Sequence, residues 1–420
     1  MRFATPFLAI PFLITLSPGA KLAAQRTPAP ESARSTADVI PVAVRWNQLV
    51  SRFADQAATS RRAARKAAAG DSAALRRIAQ NAPQMPFRVY TLLSIAQYGA
   101  LNSVTDTNHV SPRAAVASAS AAVLKEMFND STVRASIARE LARDIEHMPA
   151  SFSQKVFAAK TLGEDVARHV IAWAPVMNLV GPWNGTIPTG PGMWYSARGV
   201  PPIGINVATS RTWLLDSTSQ FRPPPPPAYG SATFNAALEE VRRVARERTP
   251  HQTEIARRWD ASDPWTLWNQ TASNVLSRHN ASQAEAARVL AVLNVAASDA
   301  IIACFEAKYH YWTIRPSQAD TTIALADSVG LPNFPSYPSG HACSAGAFDA
   351  VLGHFFPRDR AEFTRIAEEQ AMSRLYGGIH YRFDNDGGLA LGRVVALYDV
   401  ERERRGGLNA WRNGAVADKR

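Results

Sequence analysis

The sequence predicts an all-α protein of two tandem helical bundles, with the active site in the C-terminal bundle. Three observations predict it. Alanine- and leucine-rich stretches recur with charges at three- and four-residue offsets, as in 232–247 and 282–308, which is the spacing of a helix face. Alternating strand patterns are scarce. The chain has 420 residues, 46% of them hydrophobic, enough for a large core or two packed units.

The first element reads as a secretory leader. Arg2 supplies the charge and Phe7 to Leu16 a short apolar run broken by Pro11, followed by small residues up to Ala24. That run is too short to span a bilayer, so cleavage after residue 24 is expected. No later stretch reads as long, apolar and charge-free enough for a membrane span. The mature protein is therefore expected to be exported to a periplasm or the exterior, with no integral membrane segment.

Residues 25–220 are expected to form an N-terminal bundle carrying a loop rich in Gly, Pro and Trp over 181–202, and residues 221–420 a C-terminal catalytic bundle. Five consecutive prolines, Pro223 to Pro227, stand at the junction and suit a stiff connector better than a recognition ligand. A faint internal echo links the halves. Arg88-Val89 through Leu93, Ile95, Ala96 and Ala100 resembles Arg288-Val289 through Leu293, Val295, Ala296 and Ala300. In a second match Ser111 aligns with Ser339, and Arg113 stands where His341 stands. Two related bundles, one of which kept chemistry, would explain this, as would coincidence between similar helices.

The balance of 46 basic and 35 acidic residues leaves a net charge of +11, which favours anionic substrates. No zinc-finger spacing or RNA-binding aromatic signature accompanies it, so nucleic acid is not an expected partner. The two cysteines, Cys304 and Cys343, exclude a disulfide scaffold. Buried free thiols are their default state, and export would permit a bridge between them.

Three segments in the last third carry the chemistry. The first is Lys308-Tyr309-His310-Tyr311-Trp312-Thr313-Ile314-Arg315-Pro316. Lys308 and Arg315 are seven apart, so a continuing helix would put them on one face, with Pro316 as its stop. The second is Pro338-Ser339-Gly340-His341. It reads as an N-cap followed by a helix whose free N–H groups and partial positive charge attract oxyanions. The third runs from Ser373-Arg374 to His380, with Asp384 four residues on. Arg374 offers a fork of donors, and Asp384 can hold one ring nitrogen of His380 while the other acts. Each segment alone fits a basic stripe, a capped turn or a surface His–Asp pair. Together they describe one oxyanion site with two histidines.

The segments resemble the superfamily of vanadium-dependent haloperoxidases and type 2 phosphatidic acid phosphatases, in its soluble haloperoxidase-like branch. The family pattern of Lys-x6-Arg-Pro, Pro-Ser-Gly-His and Ser-Arg-x3-Gly-x-His-x3-Asp is met at every fixed position. Asp299-Ala300 and Phe334-Pro335-Ser336-Tyr337 are similar to that branch as well. The resemblance implies roles. Lys308, Arg315 and Arg374, with Ser339 and the Gly340 N–H, would hold the oxygens of vanadate or phosphate. His380 would bond vanadium or attack phosphorus, His341 would be the acid–base group, and Asp384 would orient His380. Phe334 would lie on the halide side.

The resemblance implies oxidation of halide by hydrogen peroxide at a His-bound vanadate cofactor. Phe305 stands where chloride-oxidising relatives carry Trp, so bromide or iodide is expected before chloride. The alternative is a secreted acid phosphatase hydrolysing phosphomonoesters through a phosphohistidine, with no cofactor. A non-catalytic anion-binding protein is the third reading. Helical bundles with apolar faces would also suit a homodimer. His310 is expected to pack or face water, the remaining histidines show no metal-ligand spacing, and Trp173, Trp183 and Trp194 are expected to pack in the core.

Overall fold

The structure, a computed structural model, describes residues 40–67, 86–105, 110–146, 153–175, 183–196, 199–327 and 329–409. The expected leader lies outside them. Thirteen α-helices and two short 3-10 turns, at 357–359 and 407–409, are the regular elements of the described residues, and no strand occurs among them. A single antiparallel bridge joins Met193 to Thr313. The all-α expectation holds.

The first five helices are α1 (Val42–Ala67), α2 (Pro86–Asn102), α3 (Pro112–Met127), α4 (Ser131–Glu146) and α5 (Ser153–Trp173). After the 183–229 connection come α6 (Ala232–Glu247), α7 (Pro250–Ala261), α8 (Pro264–Arg278) and α9 (Gln283–Tyr311). The last four are α10 (Pro316–Ala319), α11 (Gly340–Phe355), α12 (Arg360–Tyr376) and α13 (Arg382–Arg404). Local chemistry sets their starts. Thr249 and Ser282 close capping boxes with Gln252 and Glu285 at α7 and α9, and Asp263 caps α8 ahead of Pro264, satisfying N–H groups that the first turn leaves open.

Helix α9 is the central rod. It packs against α2, α11 and α13, and it is apolar on all sides, the pattern of a buried helix. The expectation that no stretch has membrane-span character is corrected here. By length and composition α9 qualifies, but 94% of the qualifying stretch is buried within the protein. One hydrophobic core runs from Val42 to Leu408, drawing on α1–α5 as well as α8, α9 and α11–α13.

The closest approach is between α11 and α13. A Cβ on Gly392 would lie 2.0 Å from the Cys343 carbonyl oxygen, a distance that no side chain tolerates. This contact fixes the third turn of α13 against the first turn of α11. The Ser339 N–H accordingly donates to the Asp384 carbonyl at 2.9 Å.

The proline run is strapped onto the end of α9 and the segment before α11. The hydroxyls of Tyr311 and Tyr337 donate to the Pro223 and Pro224 carbonyls at 2.6 and 2.7 Å, and Arg222 forms a forked ion pair with Glu306. A docked connector is what this geometry describes. Trp173 and Trp194 are core residues, as expected. Trp183 and Trp194 both line a cavity of about 690 Å³ along 183–201.

Gly392→Ala should force α11 and α13 apart. A loss of about 1–3 kcal/mol is expected from overpacking, read as a lower denaturant midpoint. An unchanged midpoint would contradict the close approach.

Candidate active site

Lys308 lies in the last turn of α9, which ends at Tyr311 because Trp312 adopts a left-handed φ of 50°. Residues 313–315 then run extended. The Ile314 N–H donates to the Gly192 carbonyl and the Ser336 N–H to the Thr313 carbonyl, both at 2.9 Å. Arg315 occupies the extended cap position before α10. The expected shared helical face of Lys308 and Arg315 is therefore corrected. The chain turns out of the helix between them, and the two cations meet through tertiary packing instead.

Both are fully buried. The Lys308 ammonium donates to the carbonyls of Pro335 and Ser336 at 3.0 and 2.8 Å. Arg315 donates from Nε to the Phe334 carbonyl at 3.1 Å and from Nη1 to the Ile379 carbonyl at 2.7 Å. The Phe334 ring lies 5.1 Å from Lys308 Nζ and 5.0 Å from Arg315 Cζ, within cation–π range of both. Arg374, near the end of α12, donates from Nη2 to Asp260 at 3.1 Å.

Ser339 caps α11, but its hydroxyl makes no cap hydrogen bond. At Gly340 an added Cβ would meet no atom within 4 Å, so open space adjoins the start of the helix. The site is thus bounded by a helix N-terminus whose hydroxyl and first N–H groups are not spent on capping.

His380 precedes α13 and Asp384 lies in its first turn. His380 Nδ1 is 2.8 Å from Asp384 Oδ2. The same oxygen accepts from the Ser336 hydroxyl at 2.6 Å and the Tyr381 N–H at 3.1 Å. A carboxylate can only accept here, so Nδ1 carries the proton and Nε2 keeps its lone pair. Arg315 Nη1 stands 3.1 Å from that Nε2 and donates to it. His341, half-buried, donates from Nε2 to the Trp259 carbonyl at 3.3 Å, leaving Nδ1 as its basic nitrogen. Phe305 meets Phe334 edge-on at 5.4 Å. A Cβ on Gly204 (φ 79°) would lie 2.2 Å from the Phe305 ring, so the chain closes tightly over that position. His310 is exposed.

The electrostatics follow from burying like charges together. Burial first, then the neighbouring Arg315 charge, pushes Lys308 down to about 8. Burial pushes Arg315 down to about 9, with Arg374 adding to the effect. His380 falls well below the ordinary histidine value through burial and the charges of Arg315, Lys308 and Arg374. His341 falls similarly through burial and Arg374. Burial raises Asp384 to about 6, against the opposing Ser336 hydrogen bond. Both imidazoles are thus neutral in the anion-free site.

Four donor atoms here are buried without any partner: Arg315 Nη2, Ser339 Oγ, and Nε and Nη1 of Arg374. Unpaired buried donors are costly, and three of these belong to the guanidinium groups whose charges repel. An oxyanion would satisfy all four at once. The donor set fits vanadate or phosphate, with the His380 Nε2 lone pair beside them.

Sequence reasoning missed Asp260 and Trp259, which reach the site from the end of α7. No motif marks them, because their partners Arg374 and His341 lie more than eighty residues away. Ser336 was noted only as part of a resemblance. Its hydroxyl bond to Asp384 is the added information.

Two expectations follow. Lys308 is depressed to about 8, and oxyanion binding favours its charged form. Phosphate affinity should therefore be full below pH 8 and fall with rising pH above it, by up to about tenfold per unit, in calorimetric titration. A flat profile from pH 8 to 9.5 would remove Lys308 from the site. Ser336→Ala deletes the strongest interaction that lowers the Asp384 pKa. Any acid limb set by the His380–Asp384 pair should then move to higher pH, at a cost of about 1.5–3 kcal/mol in stability.

The profile of the PAP2 superfamily matches residues 288–403. A lipid A 1-phosphatase of Rhizobium johnstonii is 44% identical over 75 residues, which are 18% of this chain and 31% of that protein. A vanadium-dependent bromoperoxidase of Ascophyllum nodosum is 32% identical over 115 residues, 20% of this chain and 21% of that protein. The matches thus span about a third or less of these relatives. Among solved structures, a bacterial vanadium-dependent iodoperoxidase superposes with a TM-score of 0.60 at 25% identity, covering 75% of this chain and 90% of that one. A bacterial vanadium-dependent chloroperoxidase shares the fold, with a TM-score of 0.61 at 14% identity over 76% of this chain and 94% of that one. The site-bearing stretch 288–403 matches the PAP2 superfamily, and the all-α architecture around it is similar to that of the bacterial vanadium-dependent haloperoxidases.

Proposed function

We propose that this protein is an exported vanadium-dependent haloperoxidase that oxidises bromide or iodide, rather than chloride, with hydrogen peroxide. The observation that carries the reading is the set of buried, unpartnered donors on Arg315, Ser339 and Arg374 around the His380 lone pair. The likeness to an iodoperoxidase across most of both chains supports it.

Vanadate, when bound, supplies a Lewis-acidic centre at which peroxide is activated toward halide. Lys308, Arg315 and Arg374, with the Ser339 hydroxyl and the Gly340 N–H, would hold its oxygens. Preorganised donors of this kind cost no reorganisation during reaction, and each is typically worth about 3 kcal/mol. His380 would ligate the vanadium through Nε2, with Asp384 and Ser336 fixing the ring. His341 starts as a neutral base and would take the proton that peroxide releases. Phe334 shields two of the cations from water on the halide side, and the Phe305–Gly204 contact leaves no room there for a larger ring.

The second reading is a phosphatase acting on phosphomonoesters. The local identity to a lipid A 1-phosphatase favours it, and the neutral His380 would attack phosphorus once a bound anion draws Arg315 Nη1 away from its Nε2. It requires His341 to begin protonated, against the burial and Arg374 charge that lower its pKa.

Paired assays on purified protein separate the readings. Halide oxidation with peroxide after vanadate loading is the expected activity. Ester hydrolysis without vanadate, inhibited by added vanadate, would establish the phosphatase instead. His380→Ala should abolish vanadate retention and turnover in a folded protein. Full activity in that variant would remove the assigned role.

A further inference from the structure

Cys304 and Cys343 are fully buried and neither forms a disulfide. Cys304 lies on α9 one turn before Lys308. Cys343 lies on α11 one turn after Ser339, whose carbonyl accepts the Cys343 N–H at 2.9 Å. Packing of α9 on α11 sets the two side chains near each other, close enough for each thiol to shift the other's acidity. Cys304 Sγ also faces the Pro338 carbonyl at 3.7 Å. The thiol pair therefore forms a floor under the oxyanion site, joining the turn that carries Lys308 to the turn that carries Ser339 and Gly340. Neither sulfur has a part in the chemistry assigned above.

We propose that this pair is an oxidation site, at which hydrogen peroxide converts Cys304 and Cys343 into an intramolecular disulfide that weakens oxyanion binding. Their nearness supplies the proximity a disulfide needs. Burial pushes the Cys304 thiol up, but the neighbouring Cys343 thiol and the Lys308 charge outweigh it, so Cys304 is the more acidic partner. Burial and the neighbouring Cys304 thiol hold Cys343 well above the ordinary thiol value. The nucleophile is the thiolate, which makes Cys304 the attacking sulfur and Cys343 the resolving one. The open space beside Gly340 lies one turn from Cys343.

The reaction balances with peroxide as the sole oxidant. The Cys304 thiolate attacks one peroxide oxygen, the O–O bond breaks, and hydroxide leaves and is protonated to water. This gives a sulfenic acid at Cys304. The Cys343 sulfur then attacks the Cys304 sulfur, and its own proton accompanies the departing hydroxide as a second water. The sulfurs lose two electrons in total, and the peroxide gains them.

Closing the bond draws the sulfurs to about 2.0 Å apart. One sulfur sits a turn from Lys308 and the other a turn from Ser339, so closure shifts donors on both walls. Sites of this kind depend on sub-ångström placement. The modification needs only peroxide, and it holds whether the site performs peroxidase or phosphatase chemistry.

The test uses the full chain treated with hydrogen peroxide and then unfolded for thiol titration and peptide mapping. Expected are the loss of both thiols, a cross-linked peptide containing Cys304 and Cys343, and reversal by dithiothreitol. Calorimetric titration with inorganic phosphate should show affinity lowered about fivefold or more in the oxidised protein. The reductant should restore it, and Cys304→Ser should show no response to peroxide. Two free thiols after prolonged treatment, or oxygen added to sulfur without a cross-link, would overturn the oxidation site. A cross-link that leaves phosphate affinity unchanged would overturn its coupling to the oxyanion site.

Discussion

Three cations are held close together, out of water, with too little negative charge to balance them. Lys308, Arg315 and Arg374 are all buried. Opposite them stand Asp384, whose Oδ2 is occupied by His380, Ser336 and Tyr381, and Asp260, which binds a single Arg374 nitrogen. Burying an uncompensated ion costs several kcal/mol, and mutual repulsion adds to that cost. The depressed pKa values of Lys308 and Arg315 record the same penalty. The site is therefore poised for an oxyanion, whose charge and acceptor oxygens would relieve desolvation, repulsion and unpaired donors together.

Such an arrangement survives only on a rigid frame, and the fold supplies one. The carbonyls of Phe334, Pro335 and Ser336 and that of Ile379 fix the Lys308 and Arg315 heads. The Gly392 contact locks the helix that begins beside His380 against the helix that begins at Gly340. The proline strap and the bridge between Met193 and Thr313 hold the segment between Lys308 and Arg315 from outside. Each of these ties costs little alone, and together they resist the repulsion at the centre.

The N-terminal half offers an internal contrast. Ser111 caps α3 just as Ser339 caps α11, but its hydroxyl accepts from the Ala114 N–H. Arg113, in the position of His341, reaches Asp144, which also pairs with Arg45 and Trp46. Charge and cap there are satisfied within the protein. The Ser339 turn differs because its hydroxyl has no internal partner. The same helical start thus serves packing in one bundle and an open anion cradle in the other.

The sequence by itself determined the helical class, the helical stretches at 232–247 and 282–308, and the residue types of the oxyanion site. These depend on local spacing and capping chemistry, which a linear chain carries in full. The Pro-Ser-Gly-His and His-x3-Asp spacings were legible for the same reason. Only the tertiary structure decided how Lys308 and Arg315 meet, since a left-handed residue at Trp312 breaks the helix that their seven-residue spacing suggested. It alone brought in Asp260, Trp259 and the Ser336 hydroxyl, and set Cys304 against Cys343. The physical reason is that these contacts join segments far apart in sequence. Their geometry is fixed by helix packing, which no local pattern encodes.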